Sequence, residues 1–205
     1  MIIEVCAESY EYALKAEKAG ADRIELCKDL NLDGLTPDYE SAKRTIDSLN
    51  IPVFILIRPR EGDFIFSDEE FELMKYDIIK FKEMGCKGIV SGVLNDDNTI
   101  DVERTKELVE LSKPLEFTFH RAFDIVSKPF KEIENLIRLG VDRILTSGQK
   151  EKAIDGLVLL EQLNNISNNR IVIMPGSGIS NMNFMKFNSF NEIHGSFKDG
   201  VPIIN

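Results

Sequence analysis

Short apolar runs alternate with amphipathic segments along the whole chain. Near the start, Ile3-Glu4-Val5-Cys6 and Ile24-Glu25-Leu26-Cys27 each alternate apolar residues with Glu and Cys. Residues two apart in a strand share a face. Glu4 therefore sits with Cys6 and Glu25 with Cys27, while Ile3, Val5, Ile24 and Leu26 face the other way. If these strands are neighbours, two thiols and two carboxylates meet at one end of a sheet. Carboxylates are rarely buried without a partner or a task.

A joint recurs in which a helical segment ends in Gly and an apolar run follows. It appears as Lys18-Ala19-Gly20-Ala21-Asp22-Arg23-Ile24, as Glu83-Met84-Gly85-Cys86-Lys87-Gly88-Ile89 and as Arg138-Leu139-Gly140-Val141-Asp142-Arg143-Ile144. Gly suits the left-handed residue that ends a helix, and the run after it suits a buried parallel strand. The pattern predicts strands at Ile2–Cys6, Arg23–Cys27, Val53–Arg58, Gly88–Val93, Glu116–His120, Arg143–Thr146, Ile171–Met174 and Glu192–Ser196. Helices are predicted over 9–19, 38–49, 67–84, 101–112, 129–139, 151–164 and 180–187. Ser67 with Glu70 reads as a capping box, and Pro129 suits a first helical turn.

Eight strands separated by helices predict an α/β fold, a TIM (β/α)8 barrel forming a single domain over 1–205. The residues after the eighth strand, Phe197 to Asn205, are too few for a full last helix, so that helix is expected to be short or missing. A doubly wound open sheet is the fallback, but no GxGxxG follows the first strand.

Composition narrows the function classes. Of 205 residues, 43% are hydrophobic and 29% charged, ordinary for a globular protein. The net charge of -10 argues against nucleic-acid or anionic-membrane binding. No run approaches the length of a membrane helix. The start has no basic leader and reads as a first strand, which places the protein in the cytoplasm. There the three cysteines stay reduced, and no CxxC pair suggests a zinc ribbon or a redox motif.

In a barrel of this kind the active site lies at the C-terminal strand ends. Those ends carry Glu4/Cys6, Glu25/Cys27, Arg58-Pro59-Arg60, Ser91-Gly92, His120-Arg121, Thr146-Ser147-Gly148, and His194 with Ser196. Both histidines of the chain fall there. A single Arg or Glu at a strand end often only pairs with a neighbour, and barrel interiors hold structural ion pairs. The whole set on one rim is harder to assign to stability alone. Glu4, Glu25, Arg58 and His120 are the catalytic candidates.

Cys86 lies in a helix-to-strand joint and reads as a small buried hydrophobe. On spacing alone, Cys6 and Cys27 also read most simply as buried inert thiols. The alternative is a pair of soft ligands suited to Cu(I). Pro175-Gly176-Ser177-Gly178-Ile179 follows the seventh strand and leads toward a predicted helix, where free backbone N–H groups can bind an anion. Ser147 and Gly148 would add a wall. The same glycines also suit a plain tight turn.

These motifs together resemble the CutC family of copper homeostasis proteins. The resemblance runs from Ile3 to about Ser196. It rests on Glu4-Val5-Cys6, Gly20-Ala21-Asp22-Arg23-Ile24-Glu25-Leu26-Cys27, Gly34-Leu35-Thr36-Pro37, Ile57-Arg58-Pro59-Arg60 and Gly62-Asp63-Phe64. It continues through Thr118-Phe119-His120-Arg121-Ala122-Phe123-Asp124, Arg143-Ile144-Leu145-Thr146-Ser147-Gly148 and Pro175-Gly176-Ser177-Gly178-Ile179. The resemblance implies a TIM barrel, a cytoplasmic location, and Cu(I) bound at Cys6 and Cys27.

The expectation is thus a cytoplasmic copper homeostasis protein binding Cu(I) at the C-terminal mouth of the barrel. The alternative is a TIM-barrel enzyme acting on a small phosphorylated or carboxylated metabolite by acid/base chemistry. In that case Arg60, Ser147, Gly148, Gly176, Ser177 and Gly178 would hold the anion, with Arg58 beside Arg60. The partner is then a copper ion or a small anionic metabolite, with no nucleic acid and no membrane. A homo-oligomer is compatible with either reading.

Overall fold

The computed structural model describes residues 1–197. Its strands are β1 (Ile2–Ala7), β2 (Arg23–Leu26), β3 (Val53–Leu56), β4 (Gly88–Ser91), β5 (Glu116–Phe119), β6 (Arg143–Thr146), β7 (Val172–Pro175) and β8 (Glu192–Gly195). All pair in parallel, in the order β7-β6-β5-β4-β3-β2-β1-β8. β7 and β8 lie against each other, with no hydrogen-bonded ladder between them among the described residues. The sheet is therefore a nearly closed TIM barrel.

Helices α1 (Tyr10–Lys18), α2 (Tyr39–Ser48), α3 (Asp68–Met84), α4 (Val102–Ser112), α5 (Pro129–Leu139) and α6 (Leu157–Ser167) follow the first six strands. Their ends carry the expected chemistry. Ser67 and Glu70 form a reciprocal capping box on α3, and Pro129 opens α5. Gly20, Gly85 and Gly140 close the three recurring joints with φ of +99°, +95° and +75°, values that an L side chain resists.

Two expected helices differ. The segment 151–164 is helical only from Leu157, because the chain at Gly156 packs directly against Gly148. A Cβ on Gly148 would lie 2.3 Å from the Gly156 carbonyl oxygen. The segment 180–187 is a single 3-10 turn, Phe184–Phe187, whose approach is held by Asn183 accepting from the Ser180 N–H. The expected short or missing last helix lies in 198–205, outside the described residues. No helix of the described residues is long and apolar enough to cross a membrane.

Strand alternation divides the buried residues into two shells. Ile3, Val5, Ile24, Leu26, Ile55, Ile89, Phe117, Ile144 and Ile193 pack outward against Met74, Ile78, Leu108 and Leu136 of the helices. The opposite parity points into the barrel, and there the lower layer is ionic. Arg23 bridges Glu4 and Glu192, and Arg143 bridges Glu192 and Glu116. The ring of Phe54 stands 4.7 Å from the Arg23 guanidinium and 5.0 Å from that of Arg143, within cation–π reach of both. Gly88 makes room for it, since a Cβ there would lie 2.5 Å from the ring.

This layer makes Arg23 the residue whose loss is felt most. Arg23→Met leaves Glu4 half-paired in a buried site, and the expected destabilisation is about 3–5 kcal/mol by urea unfolding. Arg23→Met/Glu4→Gln is expected to recover a large part of it, because Glu192 keeps Arg143. A single variant within about 1 kcal/mol of wild type would show that the ionic layer does not hold the barrel.

Candidate functional site

A cavity of about 570 Å³ opens at the C-terminal mouth of the barrel. Cys6, Glu25, Leu56, Leu145 and His194 line its lower part, and Arg58, Phe64, His120, Arg121, Asp124 and Ser177–Ile179 its rim. Register accounts for the lower group. Cys6 pairs with Glu25 across β1 and β2, and Glu4 with His194 across β1 and β8. Cβ atoms of directly opposed residues stand close, so these side chains meet.

Glu4 is fully buried beneath the cavity. One of its oxygens accepts from Arg23 Nε at 2.5 Å and the other meets His194 Nδ1 at 2.7 Å. Burial alone would push its carboxyl up, but Arg23 and His194 outweigh it and hold the carboxyl at about 2. Glu25 has the opposite balance. Its Oε2 lies 3.5 Å from His194 Nδ1 and makes no hydrogen bond. Burial raises its carboxyl to about 7, the charge of Glu4 adding to burial while His194 and Arg23 oppose it. His194 itself is pulled down by burial, yet Glu25 and Glu4 leave it above its ordinary value. Of the two neighbouring acids, Glu25 is thus the one whose carboxyl is raised.

His120 is a different histidine. Burial, with help from the nearby Arg58 charge, lowers it to about 3, so the ring is neutral. Its Nδ1 accepts from the Ala122 N–H at 3.3 Å, which places the proton on Nε2. That atom is buried and has no partner. The ring packs against Phe64, with centroids 4.8 Å apart. It also lies so close to Gly92 that a Cβ there would come within 2.8 Å of it.

The thiols of Cys6 and Cys27 meet at 3.4 Å. Cys6 is on the cavity wall, while Cys27 lies behind it and donates to the Ala7 carbonyl at 3.6 Å. The hydrogen bond to Cys27, then burial, then the carboxylate of Glu25 push the Cys6 thiol well up. Cys86 is in the outer shell, far from this pair in the fold, and burial raises its thiol to about 12.

Arg58 and Arg60 are bound into the loops of the rim. Arg58 donates to the carbonyls of Leu32, Gly34 and Gly62 and stacks over Phe64. It fixes two loops at the rim, and the neutralising cation for Glu4 is Arg23. Arg60 is taken up by Glu70, Asp63 and the carbonyls of Glu61 and Ile65. Ser147 and Gly148 are likewise occupied: Asp124 accepts from the Ser147 N–H, and Thr146 Oγ1 from that of Gly148. The Gly176 N–H donates to Thr146 in the sheet. Of the six residues expected to hold an anion, Ser177 and Gly178 line the cavity.

Arg23 lies outside the expected set, and His194 and Arg121 stand in it at the strand ends without a catalytic assignment. Parity carries the signal for the first two. Arg23 is two residues before Glu25 and His194 two after Glu192, so each shares its neighbour's inward face. Arg121 follows His120 directly, is partly exposed on the rim, and is held by Asp124 at 2.8 Å and by Ser147 at 3.2 Å.

The model of the CutC family matches residues 1–199. The copper homeostasis protein CutC homologue of Homo sapiens is 46% identical over 185 residues, covering 90% of this chain and 68% of its own length. The CutC family protein of Pasteurella multocida is 44% identical over 201 residues, covering 97% and 82%. The crystal structure of a CutC protein from Streptococcus agalactiae superposes with a TM-score of 0.90 at 33% identity, over 96% of this chain and 99% of that one. The chain belongs to the CutC family.

Proposed function

We propose that this protein serves copper homeostasis by taking Cu(I) as its cargo at Cys6 and Cys27, at the base of the cavity. The observation that carries this reading is the 3.4 Å approach of the two sulfurs on adjacent strands. Two thiolates are the soft donor set that favours Cu(I). Sulfurs about 2.3 Å from one ion stand roughly 3.8–4.6 Å apart, so the pair opens slightly, and Cys6 has the cavity to move into. Glu25, opposite Cys6 across the strands, and His194 would serve as secondary ligands. Free thiols are kept reduced in the cytoplasm, which suits both the residues and the ion.

A second reading has its own observation. His120 Nε2–H and Glu25 Oε2 are buried polar atoms without partners, on residues that line one cavity. A small anionic metabolite would supply those partners. Arg121 and the Ser177–Gly178 turn would hold its charged group at the rim, and Glu25, held at about 7, would move a proton.

Anaerobic competition for Cu(I) tests the first reading. Cys6→Ser and Cys27→Ser are each expected to weaken binding at least tenfold, and Cys86→Ser to leave it unchanged. Binding should strengthen with rising pH, because the ion displaces thiol protons. Equal affinity in all four proteins removes the thiol site. A thermal-shift screen of phosphorylated metabolites beside Cu(I) decides for the enzyme reading if a metabolite stabilises the protein and Cu(I) does not.

Glu25 has a pH signature of its own. Its folded pKa lies above the unfolded one, so the native state holds a proton that the unfolded chain releases between about pH 4.5 and 7. Its contribution to stability therefore falls as pH rises through that window and stays unfavourable above it. Glu4 has the opposite sign, stabilising above pH 4.5 and losing that support toward pH 2. Glu25→Gln is expected to match wild type near pH 4.5 and to exceed it by about 1–3 kcal/mol at pH 8. Parallel urea-unfolding curves across that range, with no growing gap, would mean that Glu25 is not a buried anion.

A further inference from the structure

Inside the barrel, below the mouth, three buried carboxylates face two guanidinium groups. Glu4, Glu25 and Glu192 are each at most 6% exposed, and Arg23 and Arg143 are the cations among them. Both guanidiniums are committed to the lower layer, Arg23 to Glu4 and Glu192 and Arg143 to Glu192 and Glu116. Glu25 is left over. Its Oε2 is buried, makes no hydrogen bond, and shares its neighbourhood with His194 Nδ1 at 3.5 Å. A carboxylate oxygen held dry without a donor is costly, and a cation is the simplest group to satisfy it.

The atoms around that oxygen form a ligand set. One oxygen of Glu4, one of Glu25 and one ring nitrogen of His194 all lie within 4.8 Å of each other. Tetrahedral ligands at about 2.0–2.2 Å from one ion stand roughly 3.3–3.6 Å apart, so closing the set draws the side chains together by up to about 1.5 Å, shared among them. We infer that Glu4, Glu25 and His194 form a binding site for a divalent transition-metal ion, distinct from the thiol pair. Two carboxylates and an imidazole are hard and borderline donors, matched to Zn2+, Mn2+ or Co2+ rather than to Cu(I). Binding displaces to solvent the proton between His194 Nδ1 and Glu4, together with the one that Glu25 carries when protonated, and no electron moves. Arg23 keeps its bond to the other oxygen of Glu4 and so orients that ligand from behind. Glu25 and His194 both line the cavity, so the remaining coordination position faces a space that water or a small anion can enter. That is the open arrangement of a metal site that does chemistry, unlike a closed structural one.

This site does not depend on the copper reading, and its test uses a different ion and different variants. The metal-stripped full chain is titrated with Co2+ and followed by absorption. One Co2+ per chain is expected, with d–d bands and without a thiolate-to-cobalt charge-transfer band. Glu25→Gln and His194→Gln should each weaken binding at least tenfold, while Cys6→Ser and Cys27→Ser leave the spectrum and the affinity unchanged. A second measurement needs no variant of the ligands. The chain has two histidines, so Zn2+ added to wild type should shift one imidazole set in an NMR spectrum, that of His194, and leave that of His120, identified by its loss in His120→Gln. The inference is overturned by absence of stoichiometric Co2+ binding, by a charge-transfer band that disappears in Cys6→Ser, or by a Zn2+ response confined to His120.

Discussion

The pairing of Arg23 with Glu4 and Glu192 is the constraint on which this barrel is organised. A barrel interior filled by aliphatic side chains has no orientation beyond shape. Here the lower layer is set by charge: Arg23 enters from β2, Glu4 from β1, Glu192 from β8 and Arg143 from β6. These strands include β8, which has no ladder to β7 among the described residues. The side chain of Glu192 reaches across to Arg143, so an ionic link spans the place where the backbone link is missing. Buried ion pairs gain little over apolar packing, but removing one member leaves an unpaired charge at high cost. The layer therefore specifies the barrel more than it stabilises it.

The layer above inherits its properties from that arrangement. Arg23 has two carboxylates to serve and faces downward, so Glu25 receives only its distant field. His194 sits between Glu4 and Glu25 and leans to Glu4, at 2.7 against 3.5 Å. The result is two glutamates on neighbouring strands with opposite electrostatic fates, one at about 2 and the other at about 7. Separation of this kind between neighbouring acids is what proton transfer and ion capture both require.

Most of the fold was legible because it rests on local rules. The Gly20, Gly85 and Gly140 joints and the alternation of Ile24, Glu25, Leu26 and Cys27 need no long-range information. The same alternation placed Glu4, Cys6, Glu25 and Cys27 on one face, and the structure brings the two thiols together. The destination of Arg58 was not legible. Parity turned it toward the barrel, but β3 ends at Leu56 and the loops at Leu32, Gly34 and Gly62 present carbonyls that capture its donors. Loop carbonyls carry no sequence signature, and the same holds for the bonds that occupy Arg60 and Gly148. Arg23 was legible in principle, since it is on the inward face of β2. It stands at the start of that strand, one inward position below Glu25.

Soft and hard donors meet at the base of this one cavity, and the fold sets which of them can share an ion. Cys27 lies one residue beyond the end of β2, level with the rim loops, and its partner Cys6 is the upper of the two inward residues of β1. Glu4 is the lower one, beside His194. Alternation allows inward side chains only every second residue, roughly 6.6–6.8 Å along the strand, so Glu4 and Cys6 cannot crowd onto one ion without bending β1. Glu25 links the two sets, since it stands opposite Cys6 across β1 and β2 and within 3.5 Å of His194. Glu25, the acid that the arginines leave unserved, is thus beside either donor set, and the rigidity of β1 rather than distance from the cavity keeps Glu4 away from the thiols.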